Sequence, residues 1–304
     1  MIDFIGDIHG HRERLEALLK KLGYAEVNGA YRHPTNTVIF LGDYIDRGPD
    51  ARGAVRIVRN MVEAGTAQAI LGNHELNALY FWQKDPKGGY LREHTINKIL
   101  IHSKTMASFQ QHQPEFFDHL DWFLTLPLFI ETESFRAQHA CFDLENIQTL
   151  RMEGLETIGN RENLFRILAN KKIRRAVMDT VQGPEVELEN GATYRDSEEV
   201  LRTRARIKWW INPKGKTLQD LSFQPGVKIP PQPLSAEVLA RDFYRETERP
   251  DFFGHYWLEG KPMLFRSNIC CLDYSIASYK GTGVLAAYRF DGETSLSEKN
   301  LFYV

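Results

Sequence analysis

The sequence predicts an α/β fold with a mostly parallel sheet, because three strand-like runs follow one another near its start. Apolar runs at 1–5, 37–41 and 67–71 have the length and residue types of buried strands. Apolar residues at helical spacing predict amphipathic helices over about 11–22 and 54–62, after the first two runs. Strands that alternate with helices pair in parallel through right-handed crossovers.

The middle and the tail of the chain predict further helices and strands. These are two helices within 91–126 separated at Pro114, a strand pair at 128–130 and 135–139, a short strand at 251–255, and antiparallel strands at 270–274 and 284–290.

The stretch from about 145 to 245 differs from the rest because it is rich in charge and has helical periodicity. We interpret it as a mostly helical insertion or cap. Candidate site residues lie on both sides of it, so we expect one domain over 1–304 rather than two.

Composition excludes several classes of protein. The chain has 304 residues, 42% of them hydrophobic, and a formal net charge of -2, which gives no general attraction for nucleic acid or anionic membranes. Three cysteines are too few for a disulfide framework. No run approaches the ~20 apolar residues of a membrane span, so we expect a cytoplasmic protein with no membrane partner.

Metal-ligand residue types follow or end the predicted strands. They are Asp7, His9, Asp43, Asn73, His139 and His255. Strand ends at one edge of an α/β sheet commonly form ligand sites. Carboxylate, imidazole and amide donors suit Mn²⁺, Fe or Zn²⁺ better than Mg²⁺. A single histidine at a strand end is more often a structural residue, and 42–48 alone could be a polar turn, but three such strand ends in succession favour a metal site.

The motifs at these strand ends resemble one known family. Gly-Asp-Ile-His-Gly at 6–10, Leu-Gly-Asp-Tyr-Ile-Asp-Arg-Gly-Pro-Asp at 41–50 and Leu-Gly-Asn-His-Glu at 71–75 are similar to those of the calcineurin-like metallophosphoesterases. The similarity is to the branch that contains the serine/threonine phosphoprotein phosphatases and their bacterial relatives. It implies a metallophosphoesterase fold, with a central β-sandwich of mixed sheets flanked by helices.

The resemblance also implies a pair of divalent metal ions. In this sequence the first ion would be bound by Asp7 and His9, the second by Asn73, His139 and His255, and both by a bridging Asp43. Mn²⁺ is the expected metal, with Fe or Zn²⁺ as alternatives.

Three residues near these ligands would be catalytic by the same resemblance. His74 would be the general acid, oriented by Asp46, and Arg47 would hold the phosphate. A histidine beside a carboxylate suits the first role, and a planar guanidinium suits the second. The expected reaction is direct attack by a metal-bound hydroxide without a phosphoenzyme.

The insertion departs from the family pattern, so a second phosphate-binding residue has to be sought within it. The run 202–210 contains four basic residues, of which we select Arg206 and Lys208 as substrate-binding candidates. A helix that begins at 196–197 would place Arg202 and Arg206 on one face, whereas a strand would align all four basic residues at period two. A solvated basic surface or a single-stranded nucleic-acid site are the other interpretations of this run, the latter not expected.

These observations leave three hypotheses for function. The first is a phosphomonoesterase of the protein serine/threonine phosphatase type, acting on a phosphoprotein. The second is a nucleotide-directed hydrolase, either a symmetric dinucleoside tetraphosphatase or a cyclic-nucleotide phosphodiesterase. The third is a non-catalytic, metal-stabilised interaction module, which would not need a general acid. The sequence leaves the oligomeric state open.

Overall fold

A computed structural model describes residues 1–195, 201–223, 229, 232–278 and 281–304. Its helices are α1 (Arg12–Lys21), α2 (Ala51–Glu63), α3 (Asn73–Trp82), α4 (Ile96–Ser108), α5 (Gln113–Thr125), α6 (Leu144–Met152), α7 (Arg161–Ala169), α8 (Lys171–Gln182), α9 (Leu218–Leu221) and α10 (Ala236–Ala240). Its strands are β1 (Ile2–Ile5), β2 (Ala25–Val27), β3 (Ala30–Arg32), β4 (Thr37–Phe40), β5 (Ala67–Ala69), β6 (Phe129–Glu131), β7 (Arg136–Gln138), β8 (Glu185–Glu187), β9 (Tyr194–Arg195), β10 (Leu201–Arg202), β11 (Arg204–Arg206), β12 (Asp251–Phe253), β13 (Ile269–Cys271), β14 (Asp273–Tyr274), β15 (Val284–Phe290) and β16 (Leu301–Tyr303).

Two mixed sheets form the centre of the molecule. The first has the order β14-β15-β1-β4-β5, with β16 also paired to β15, and its strands β1, β4 and β5 are parallel. The second has the order β13-β12-β7-β6, in which only β6 is antiparallel to its neighbour. Aromatic side chains join the sheets, and the rings of Phe4 and Phe252 stack with centroids 3.8 Å apart. This arrangement confirms the predicted α/β sandwich.

The parallel strands explain where a site can form. Val38, Ile39 and Phe40 of β4 are almost completely buried, as are Phe4 and Ile5 of β1, as expected for strands covered on both faces. Their carboxyl ends lie at one edge of the sheet, and β7 and β12 end in the loops that carry His139 and His255. Five loops from two sheets therefore meet at this edge.

The tail differs from the expectation in one respect. Of the two strands within 269–274, β14 pairs antiparallel with β15 as expected, whereas β13 pairs in parallel with β12 in the other sheet. The chain changes sheets at Leu272, whose amide donates to the Phe253 carbonyl oxygen at 2.8 Å. The apolar run at 270–274, predicted as one strand, therefore contributes to two strands in the structure.

The insertion is helical in its first part only. Helices α6, α7 and α8 pack into the main core through residues such as Leu150, Leu164 and Val177. Helix α8 ends at Gln182 and is followed by Gly183, where φ is +75° and an added Cβ would lie 2.5 Å from the Tyr256 hydroxyl oxygen, so a side chain here would be strained and would displace Tyr256. Beyond it, the described residues of the insertion form short strands and two short helices.

The segment after α8 has a small core of its own. Leu188, Tyr194, Ala205, Leu218 and Val238 belong to this second apolar cluster. Arg202 lies in β10 and Arg204–Arg206 form β11, so the strand alternative applies to this run, while the helix start expected at 196–197 lies outside the described residues. None of the helices described is both long and apolar enough to cross a bilayer.

Asp251 is an acid buried in β12 without a cation bonded to it. Gln138 Nε2 donates to its Oδ1 at 2.8 Å, and its Oδ2 has no hydrogen-bond partner among the described residues. Burial raises the pKa of Asp251 to about 7. The protonated form therefore stabilises the fold at low pH, and this stability is lost as the pH rises towards the folded-state pKa.

We expect Asp251→Asn to remove this pH dependence, because an amide keeps the acceptor for Gln138 and does not ionise. The free energy of unfolding of the variant should exceed that of the wild type by a margin that grows by up to about 1.4 kcal/mol per pH unit between about pH 4 and pH 7. Denaturant unfolding of both proteins across this range measures the margin. A margin that does not change with pH would contradict the assignment.

Candidate metal centre

The structure brings all six predicted ligands together at the sheet edge. Asp7 and His9 follow β1, Asp43 follows β4, Asn73 begins α3 after β5, His139 follows β7 and His255 follows β12. Their exposures range from 0% for His139 to 8% for Asn73. Residues that are up to 248 positions apart in the chain therefore form one buried polar cluster, in which the His255 amide donates to Asp7.

Asp43 lies between two groups of donors. Its Oδ2 is 3.7 Å from His9 Nε2, and its Oδ1 is 3.3 Å from His139 Nε2. His9 Nε2 is also 4.0 Å from Asp7 Oδ2. Each carboxylate oxygen of Asp43 thus faces a different histidine, which is the arrangement needed for a carboxylate that contacts two ions.

The second group of donors is compact. Asn73 Oδ1 is 3.0 Å from His139 Nε2 and 2.7 Å from His255 Nδ1. Donor atoms of Asp43, His139 and His255 lie within 4.8 Å of one another, and so do those of His9, Asp43 and His74. These spacings allow the donors to surround common cations.

The histidine tautomers test whether the cluster fits divalent ions. His9 Nδ1 lies 3.1 Å from the Ile45 carbonyl oxygen and His139 Nδ1 lies 2.6 Å from that of Leu41, so each of these nitrogens donates. In His9, whose pKa burial lowers to about 3, the opposite nitrogen, Nε2, then carries a lone pair directed at the cluster. His9 Nε2 is buried and has no hydrogen-bond partner among the described residues. A buried orphan lone pair is costly unless a cation satisfies it, so the donor set fits.

Electrostatics also favour bound cations. Burial, followed by the charge of Asp273, holds the pKa of Asp7 well above its usual value. Burial lowers the pKa of His139, but the Asp43 carboxylate outweighs burial and the net result is a pKa of about 10. Buried carboxylates that outnumber the nearby cationic side chains destabilise the folded state. Divalent ions would compensate their charge.

Backbone strain is concentrated in the loops that carry these residues. The φ angles are +45° at His9, +56° at Asp43, +68° at Asp46, +66° at Arg47 and +70° at His255. Residues with side chains rarely adopt this region, and such outliers cluster at functional sites.

Glu75 holds the strained loops, and the sequence analysis assigned it no role. Its carboxylate accepts hydrogen bonds from the amides of Asp43 and Tyr44, both at 2.8 Å, and from that of Gly72 at 3.1 Å. Burial raises the pKa of Glu75 to about 7. Its place at the end of the 71–75 motif was the available sequence signal for this function.

His74 and Asp46 form the expected pair beside the ligands. His74 Nδ1 lies 2.6 Å from Asp46 Oδ2, and its Nε2 lies 3.9 Å from Asp43 Oδ2. Burial lowers the pKa of His74, but the carboxylates of Asp43 and Asp46 outweigh it and raise the pKa above the ordinary value. The imidazole therefore tends to keep both protons, with Nε2–H directed towards the ligand cluster.

Two arginines lie close to the cluster. The Arg47 guanidinium carbon is 4.1 Å from the centre of the Trp257 ring, a cation–π contact that the sequence analysis did not foresee. Arg206 Nη1 donates to the His255 carbonyl oxygen at 3.2 Å, and its buried Nε has no hydrogen-bond partner among the described residues. Burial, followed by the charge of Arg206, lowers the pKa of His255. The Arg206 guanidinium therefore lies close to the donor cluster.

Lys208 lies elsewhere. Its Nζ donates to the Asp220 carbonyl oxygen at 3.2 Å. It lines a cavity of about 670 Å³ between the insertion and the core, together with Cys141 and Trp209, and no predicted metal ligand is among the lining residues described. The structure thus brings Arg206 to the site and leaves Lys208 outside it.

A family model described as calcineurin-like phosphoesterase matches residues 1–214. The chain is 49% identical over 80 residues to the asymmetrical bis(5'-nucleosyl)-tetraphosphatase PrpE of Oceanobacillus iheyensis, a match that covers 26% of this chain and 32% of that relative. It is 28% identical over 132 residues to a symmetrical bis(5'-nucleosyl)-tetraphosphatase of Actinobacillus succinogenes, covering 43% of this chain and 40% of the relative. The chain therefore spans less than half the length of these relatives.

Among solved structures, the cold-active protein-tyrosine phosphatase of a psychrophilic Shewanella sp. is similar, with a TM-score of 0.52 and 16% identity. The match covers 95% of this chain and 75% of that one. At this identity the likeness concerns the fold alone.

We expect Asp43→Asn to release bound metal, because an amide lacks the charge and the second anionic oxygen that two ions share. Elemental analysis of the purified, Mn²⁺-loaded protein should find both ions in the wild type and at most one in the variant. Asp251→Asn changes another buried acid outside the ligand set and should retain both ions. Two ions in Asp43→Asn would refute its bridging position.

Proposed function

The chain belongs to the calcineurin-like phosphoesterase family and is a phosphoric ester hydrolase, and from that premise we propose a dimetal-dependent enzyme that acts on nucleotide phosphates. The observation that carries the proposal is the convergence of six nitrogen and oxygen donors with the His74–Asp46 pair directly beside them. A non-catalytic module would have no use for such a pair.

We propose that Asp7 and His9 hold one divalent ion, that Asn73, His139 and His255 hold the other, and that Asp43 contacts both. When bound, such ions neutralise phosphoryl oxygens and lower the pKa of water. Mn²⁺ is the proposed metal, with Fe or Zn²⁺ as alternatives that the same donors accept.

His74 acts as the general acid in this proposal. Its Nδ1 is bonded to Asp46, so the proton available to a substrate is the one on Nε2. That proton passes to the leaving oxygen as its bond to phosphorus breaks, and Asp46 keeps the ring oriented and cationic beforehand. The raised pKa of His74 supports this role, because the acid form then persists at neutral pH.

Arg47 and Arg206 bind the phosphate in the proposal. Trp257 supports the Arg47 guanidinium through the ring contact at 4.1 Å. The buried N–H at Nε of Arg206 has no hydrogen-bond partner among the residues described, so it is available to a phosphate oxygen. Planar guanidinium groups match two phosphoryl oxygens at once. Since Arg206 comes from the insertion, we propose that 145–245 is a cap within a single domain and takes part in substrate choice.

Dinucleoside polyphosphates are the substrate class that we place first, because both relatives named above are bis(5'-nucleosyl)-tetraphosphatases. The burial of the ligand cluster also supports a small substrate, since no proposed ligand exceeds 8% exposure. A phosphoprotein is the second candidate, favoured by the resemblance of the 41–50 motif to the phosphoprotein phosphatases.

A panel of three substrates tests the choice. We expect the Mn²⁺-loaded protein to hydrolyse diadenosine tetraphosphate faster than a phosphoserine peptide or a 2′,3′-cyclic nucleotide. Chromatography then separates symmetric cleavage, which yields two ADP, from asymmetric cleavage, which yields ATP and AMP. Preference for the peptide would favour the second candidate, and inactivity of the fully loaded protein on all three would overturn both.

We expect His74→Asn to lower turnover by roughly 10²–10⁴-fold, because the leaving oxygen loses its proton donor. Metal content should not change, since His74 is not a proposed ligand. Steady-state kinetics with elemental analysis of the same preparation measures both. His119→Asn, which alters a buried histidine of α5 outside the site, is the matched control. Undiminished turnover in His74→Asn would mean that the acid is another residue.

A further inference from the structure

The Asp46 carboxylate has hydrogen-bond partners in addition to His74. Its Oδ2 faces His74 Nδ1 at 2.6 Å, while its Oδ1 lies 2.7 Å from His102 Nδ1 and 2.6 Å from Thr105 Oγ1. His102 and Thr105 both belong to α4, and their exposures are 3% and 0%. Neither lies in a motif that the sequence analysis singled out.

Trp82 determines how His102 bonds to Asp46. An indole N–H can only donate, and Trp82 Nε1 lies 3.0 Å from His102 Nε2. That imidazole nitrogen must therefore carry a lone pair, which leaves the ring neutral with its proton on Nδ1. His102 consequently donates a hydrogen bond to Asp46 Oδ1 as a neutral ring, and Asp46 stays anionic.

Thr105 restrains both ends of Asp46. Its hydroxyl donates to Oδ1, and the same oxygen accepts the Asp46 backbone N–H at 2.9 Å. This second bond holds the backbone of a residue whose φ is +68°. The α4 pair therefore restrains the carboxylate in both position and rotation.

We propose that His102 and Thr105 are positioning residues that hold Asp46 Oδ2 against His74 Nδ1 and so aim the proton of His74 Nε2 at the leaving oxygen. This inference rests on the proposed function. Two neutral donors on Oδ1 stabilise the anionic carboxylate, and they leave Oδ2 as the oxygen that bonds to the acid. The acid thus depends on α4, a helix that carries none of the proposed metal ligands.

The dependence of rate on the leaving group distinguishes this role from a structural one. A poor leaving group such as phenol needs a proton in the transition state, whereas p-nitrophenol departs more readily as an anion. If the His74 imidazole is misoriented, hydrolysis of phenyl phosphate should therefore slow more than hydrolysis of p-nitrophenyl phosphate. Loss of fold or metal should slow both to the same extent.

We expect His102→Ala in the Mn²⁺-loaded protein to lower kcat for phenyl phosphate by about 10- to 100-fold, the usual cost of a lost supporting contact. The loss for p-nitrophenyl phosphate should be several-fold smaller, with KM and metal content unchanged. His102→Asn can still donate to Asp46 and should recover much of the loss. Thr105→Val should behave like His102→Ala, and Thr105→Ser should behave like the wild type.

Two further variants separate local packing from hydrogen bonding. Phe116→Leu alters a ring whose centroid lies 5.9 Å from that of His102 without touching Asp46, so the ratio of the two rates should stay at the wild-type value. In the double variant His102→Ala with His74→Asn, the first change should add little, because both act through one proton.

An unchanged ratio of rates in both His102→Ala and Thr105→Val would overturn the inference, and so would full additivity in the double variant. The proposed function fails in a different way. If the loaded wild type hydrolyses neither these esters nor diadenosine tetraphosphate, or if His74→Asn leaves all rates unchanged, then the activity or the acid has been misassigned. If it cleaves only diadenosine tetraphosphate, the double variant is measured on that substrate, and full additivity there overturns the inference.

Discussion

The site depends on one buried carboxylate. Glu75 bonds to the backbone of the loop after β4 and to that of the loop after β5. Asp43 sits in the first loop with φ of +56°, and Asn73 and His74 follow the second loop. Without an acceptor for several amides at once, the strained loop would have unpaired N–H groups in a dry environment, which is costly. The Glu75 hydrogen bonds therefore fix the two loops that carry Asp43 and Asn73 relative to each other.

A second constraint is the burial of charge. Asp7, Asp43 and Asp273 lie close enough to affect one another's ionisation, and all three are buried. A fold that places such groups together loses stability unless cations or protons compensate. The histidines supply part of this compensation, and the orientation of His9 and His139, with Nε2 directed inwards, leaves room for metal to supply the rest. Metal binding at this cluster would therefore be coupled to the stability of the fold.

Short-range patterns were enough to predict most of the fold. The runs at 1–5 and 37–41 lie in β1 and β4, and Pro114 lies at the start of α5, as expected for a residue without an N–H. The β2–β3 hairpin was missed although Asn28 and Gly29 form its turn with φ of +52° and +79°, a sequence signal that was available. The division of 270–274 between two sheets had no such signal, because it depends on which neighbours the strands find.

The sequence by itself determined which nitrogen and oxygen donors lie at the sheet edge, since their spacing within each motif is local and the strand ends must meet once the parallel strands pair. Through the family resemblance it also predicted that His74 and Asp46 act as a pair, and the two side chains are in contact. Only the tertiary structure decided the partners of these groups. Arg206 lies beside the cluster, whereas Lys208 lines a separate cavity. His102 and Thr105 contact Asp46 although they are 56 and 59 residues away in the chain. Contacts of that kind arise from packing between distant segments, which leaves no periodic trace in the chain.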